Sequence, residues 1–129
     1  MKVLTLKQPW ASLVIDGYKK YEFRSWKTNY RGKILIHAGL GKDNENLIFN
    51  KYDLNYIKGA IIGEAYIVDC ILIDGEFNEK ISNLNKYVYG KNHVGVYAWK
   101  LEKVKKYDNP IYIKGKLGLW NYEGEDLKW

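Results

Sequence analysis

One stretch limits the folds open to this chain more than any other: Gly59 to Ile73, reading Gly-Ala-Ile-Ile-Gly-Glu-Ala-Tyr-Ile-Val-Asp-Cys-Ile-Leu-Ile. Its Ile and Val content argues for a strand. Branched side chains pack well on a pleated surface and lose rotamer freedom in a helix. The run is apolar on both faces around Glu64, and Gly63 offers a place to bend. It falls short of the ~20 apolar residues that a membrane-spanning helix needs.

Shorter elements flank this run. Val3 to Leu6 reads as a first strand. Pro9 suits the first helical position, Trp10, Leu13 and Val14 recur at helical spacing, and Gly17 ends the helix. Lys20 to Trp26 alternates, with Tyr21, Phe23 and Ser25 on one face and Lys20, Glu22, Arg24 and Trp26 on the other. Lys33 to Ala38 is expected to be a strand. Asp43 is a candidate helix cap ahead of a modest amphipathic turn at Leu47, Ile48 and Tyr52. Asp74 to Gly90 is expected to hold a loop and a short helix. His93 to Val104 alternates again, Ile111 to Ile113 follows Pro110 as a separate short strand, and a glycine-punctuated loop runs from Lys114 to Trp120. Five or six short strands with two or three short helices predict an α+β chain built as a small mixed barrel, helices over its openings.

With 129 residues, the chain is expected to form one domain, 1–129. Lys and Arg outnumber Asp and Glu by 21 to 15, a net charge of +6. That balance favours polyanionic partners through counterion release, and it equally describes a lysine-rich solvated surface. The single cysteine, Cys70, excludes an internal disulfide and reads as a small buried hydrophobe. No leader-like pattern precedes the first strand, so a cytoplasmic setting without membrane association is expected.

Glu64 is the sharpest single residue, because an ionised carboxylate inside an apolar strand needs a partner or a cavity. It is either a structural ion pair or part of a site. Glu22 and Arg24 share a strand face with Trp26, and Lys19 enters from the preceding turn, outside the strand's parity. These residues form either a surface ion pair or one wall of a cleft. Arg24, Lys27, Arg31 and Lys33, interleaved with Trp26 and Tyr30, can hold phosphates while the rings stack bases. Lys114 and Lys116 flank Gly115 in a loop able to approach a backbone closely. Trp10 and Trp120 read first as core, with Trp10 also a candidate ligand contact. His37 is read as a histidine satisfied at a strand end. Neither histidine has the spacing of a zinc site, and no phosphate-binding or nucleophile-elbow motif occurs, so no metal or cofactor is expected.

Gln8-Pro9-Trp10-Ala11, the Gly17-x-Lys19-x-x-Glu22-x-Arg24 run, Arg31-Gly32 before the strand ending at His37, and Gly115-x-x-Gly118-x-Trp120 together resemble the ASCH domain, a member of the PUA-like superfamily. The Arg24-Ser25-Trp26 segment is similar to the activating signal cointegrator 1 type of that domain. The resemblance implies a PUA-like small β-barrel with a cleft between barrel and helices. It also implies RNA or another nucleic acid as partner. Some members are small amidohydrolases that remove the acetyl group of N4-acetylcytidine with a Lys, a Thr and a Glu. By position the Lys matches Lys19 and the Glu matches Glu64, while Glu22 stands where the Thr would be.

Two functions follow as expectations. In the first, the chain is a binding module for RNA or a nucleoside-like small molecule. Glu22, Arg24 and Glu64 bond a base, Trp26 stacks on it, and Arg31, Lys33, Lys114 and Lys116 hold phosphate. In the second it is an amidohydrolase, with Glu22 activating water, Lys19 stabilising charge and Glu64 orienting the substrate. The sequence leaves oligomeric state open.

Overall fold

The structure, a computed structural model, describes residues 1–42, 51–90 and 92–123. The expected cap at Asp43 and the residues Leu47 and Ile48 lie outside that range. Six strands form one sheet: β1 (Lys2–Gln8), β2 (Tyr21–Arg24), β3 (Gly32–Lys42), β4 (Ala60–Leu72), β5 (Tyr97–Tyr112) and β6 (Leu119–Asn121). Their order across the sheet is β2-β5-β4-β3-β1-β6. Among the described residues only β1 and β3 run parallel, and the other pairings are antiparallel. Among the described residues, short helices accompany the sheet at α1 (Trp10–Ile15), α2 (Gly75–Leu84) and α3 (Lys86–Tyr89). This is the small mixed barrel, left half open, that the strand and helix pattern predicts.

The 59–73 run becomes β4, the centre of the sheet, paired with β3 on one side and β5 on the other. Its bend at Gly63 coincides with register shifts against both neighbours. A side chain there would overlap the Lys105 carbonyl and come within 2.7 Å of Ile15 Cδ1, so only glycine lets α1 and β5 approach. Ala60, Ile62, Ala65 and Ile67 face the main core with Leu4, Leu6, Ile34, Ile36 and Trp99. Ile61 faces the other side, where Val3, Leu35 and Trp120 form a second, smaller core.

Helix α1 is buried from Ala11 to Ile15, which a six-residue helix requires, since packing rather than length must stabilise it. Pro9 lies one position outside the helix, joined to Gln8 by a cis bond. The buried Gln8 side chain caps the helix: its Oε1 accepts from Ser12 N–H at 3.0 Å. At the other end Gly17 has φ +87°, Gly17 N–H donates to Val14 O and Tyr18 N–H to Leu13 O. This paired reversal ends the helix through a left-handed residue, as Gly17 predicts.

Three sequence expectations are corrected. His93 to Val104 and Ile111 to Ile113 are not separate strands: one sixteen-residue strand, β5, runs through Pro110. Its second edge pairs β2 only from Tyr97 to Lys100, so at Pro110 that edge needs no N–H donor. The segment 74–90 holds two helices, separated at Asn85, whose side chain accepts from Tyr87 and Val88 N–H and starts α3. Leu119–Asn121, read as part of a loop, adds the edge strand β6 beside β1.

Candidate ligand-binding site

The reversal at Gly17 delivers Lys19 inward. Lys19 N–H also donates to Leu13 O, and the side chain is only 3% exposed. Its ammonium lies 3.2 Å from Glu22 Oε1 and donates to Tyr21 O. Trp10, Phe23 and Tyr89 ring it, the nearest centroid 4.3 Å away at Phe23. Glu22 is 8% exposed and holds Arg24 Nη2 through its second oxygen at 3.0 Å. The strand parity of the sequence is realised here: Glu22 and Arg24 share a face, and Tyr21 and Phe23 pack on α2 and α3 neighbours.

Burial pushes the Lys19 pKa below its ordinary 10.5, outweighing the upward pull of Glu22; Arg24 adds to the fall. One carboxylate between two cations offsets only one of the two positive charges, so the cluster favours release of the Lys19 proton.

Arg24 reaches across the open seam of the half-barrel. Its Nη2 also donates to Thr5 O at 2.7 Å, although β2 and β1 are separated in the sheet by β5, β4 and β3. Its Nε–H, buried, meets no acceptor among the described residues. Beyond it Trp26 is 42% exposed, its ring edge-on to Trp99 at 4.7 Å, and its carbonyl accepts from the Trp99 indole. Gly118 passes beside Trp26: a side chain there would lie 3.6 Å from the ring. The loop 113–118, carrying the exposed Lys114 and Lys116, thus borders the indole.

The structure does not bring Glu64 to this cluster. Glu22 pairs across from Trp99 on the face of the main core, whereas Glu64 pairs across from Leu35 on the opposite face. There Lys33 Nζ lies 3.2 Å from Glu64 Oε2, and the Tyr107 hydroxyl donates to Oε1 at 2.9 Å. Burial, then the bond to Glu64, raises the Tyr107 pKa well above 10.0. Of the residues expected to hold phosphate, Lys33 is therefore engaged by Glu64. Arg31 bonds the carbonyls of Thr28 and Tyr30 and approaches Asp69 at 4.0 Å.

Thr5 is the participant that the sequence does not mark. Its carbonyl holds Arg24, its N–H donates to Gly118 O, and its hydroxyl oxygen accepts from the Trp120 indole at 2.9 Å. A single threonine in an alternating strand carries no sequence signal for such a junction. Among the described residues no cluster of His, Cys, Asp and Glu suits a metal ion, and no helix is long and apolar enough to cross a membrane.

Residues 4–111 match the ASCH domain family. Activating signal cointegrator 1 from Homo sapiens is 28% identical over 96 residues, covering 64% of this chain and 16% of that protein. The Mus musculus protein of the same name is 29% identical over 102 residues, with the same shares of 64% and 16%. The chain thus matches a small part of the length of these relatives. Among solved structures, ASCH from Zymomonas mobilis superposes with a TM-score of 0.63 at 15% identity, over 96% of this chain and 88% of that one. A serine-to-alanine variant of the Zymomonas mobilis protein gives 0.60 at 16% identity, over 95% and 87%. At such identities these likenesses speak to the fold, and the barrel with its short flanking helices is the one they share. With the family match spanning most of its length, the chain belongs to the ASCH domain family.

Proposed function

We propose that this domain binds single-stranded RNA or a related nucleic acid, taking one exposed base at the seam between Arg24 and Trp26. The observation that carries the reading is a guanidinium fixed from behind by Glu22 and Thr5 O, beside an indole left 42% exposed. A planar, pre-set cation next to an open aromatic face suits a base that stacks and a phosphate or base edge that accepts hydrogen bonds. Lys19 and Glu22 set the charge behind the guanidinium. Lys114 and Lys116 supply the phosphate contacts, and the net charge of +6 steers the polyanion inward.

The test is binding of a short labelled single-stranded RNA across a salt series. Wild type binds with an affinity that falls steeply as salt rises. Glu22→Gln frees Arg24 and weakens binding roughly tenfold or more, the size of one lost charge-assisted contact of about 1.5–3 kcal/mol. Equal binding by Glu22→Gln, or no binding by wild type at low salt, overturns the reading. Turnover of N4-acetylcytidine that is abolished in Lys19→Ala would instead make the same cleft catalytic.

A further inference from the structure

The polar groups around Thr5 and His37 form a continuous chain that touches both ends of the 113–118 loop. His37 is 2% exposed. Its Nε2 lies 2.9 Å from Ile113 O, and a carbonyl only accepts, so Nε2 carries the proton. In the neutral ring Nδ1 is then an acceptor, 3.4 Å from the Thr5 hydroxyl, which in turn accepts from the Trp120 indole. At the far end of the loop Thr5 N–H donates to Gly118 O. Between the two ends Gly115 lies flat against the imidazole, so closely that any side chain there would overlap the ring. The same threonine's carbonyl holds Arg24.

One residue therefore fixes both the guanidinium of the binding seam and the loop beside it. We propose that Thr5 and His37 are positioning residues: they hold the 113–118 loop in register with Arg24 and Trp26, so that Lys114 and Lys116 engage the same strand of nucleic acid as the seam. This rests on the binding function proposed above. Without the clamp the loop keeps its lysines but loses the fixed placement that makes them act together with Arg24. The outermost residue of the loop, Leu117, is 94% exposed, so the clamp rather than packing at the loop tip holds it.

Thr5→Val removes the hydroxyl while keeping the backbone groups that bind Arg24 and Gly118; Thr5→Ser keeps the hydroxyl. The salt slope of RNA binding is compared for these variants, for Lys114→Ala/Lys116→Ala, and for the triple variant with Thr5→Val. Loss of two phosphate contacts on a single strand lowers the slope by about 1.4. Thr5→Val is expected to approach that loss, Thr5→Ser to retain wild-type binding, and the triple variant to bind no more weakly than the double-lysine variant. Additive weakening in the triple variant, or wild-type binding by Thr5→Val, overturns the proposal. Amide exchange of residues 114–118 in the free protein separates this from failure of the binding reading. Faster exchange confined to the loop in Thr5→Val supports the clamp even if RNA does not bind, and unchanged exchange there overturns it.

Discussion

Lys19 shows how a residue can be chemically unusual through position alone. Its ammonium is removed from water and ringed by aromatic faces, and Glu22 only partly compensates, so its pKa is depressed. The folded state thus binds fewer protons at this site than the unfolded chain between the depressed value and 10.5. Within that window stability gains from rising pH. Relative to Lys19→Met, wild type should therefore become more stable as pH rises toward 10.5, and the difference should flatten below the folded value. Urea midpoints of the two proteins over a pH series measure this; a wild-type midpoint that falls relative to that of Lys19→Met as pH rises through this window would contradict it. Glu22 and Arg24 were legible in the sequence because strand parity puts residues two apart on one face. The inward turn of Lys19 was legible only as freedom from that parity, and the reversal at Gly17 settles it.

At the scale of elements, β4 and α1 depend on each other through Gly63. The strand bends where the glycine lies, α1 presses Ile15 into the bend, and β5 passes its Lys105 carbonyl beneath. Gly63→Ala should cost about 1–3 kcal/mol, the usual penalty for overpacking a filled core. Because the overlap includes a backbone carbonyl, the upper half of that range is expected, and a urea melt reads it. A change within ±0.5 kcal/mol, the usual range for a surface substitution, would show that the strand can shift at no cost. The bend was legible from a glycine inside an apolar run. The length of β5 was not, because Pro110 reads as a break until the unpaired edge beside it is known. Nor was β6, whose Leu-Trp-Asn carries too short a pattern to separate from a loop.

At the scale of the molecule, the sheet has two apolar faces and one seam. The Lys19–Glu22–Arg24 cluster lies at the seam, while Glu64 with Lys33 and Tyr107 lies on the opposite face. Glu64→Gln should therefore leave RNA binding and its salt slope unchanged. Its stability cost should stay below about 1 kcal/mol, because Lys33 remains partly in water. Loss of RNA binding comparable with that of Glu22→Gln would mean that the two carboxylates act together after all. Arg24 and Thr5 O close the seam and so relate strands that are distant in the sheet, and the loop clamp hangs from the same threonine.

The sequence by itself determined the mixed barrel with short helices, the family, and the shared face of Glu22 and Arg24. Each follows from local periodicity, turn chemistry or a motif of fixed spacing. The tertiary structure alone decided that Glu64 stands apart from Glu22, that Lys33 is occupied, and that Thr5 joins the seam to the 113–118 loop. Strand order and the curl of the sheet set those distances. A period of two tells which face a side chain takes, but not which distant strand that face will meet.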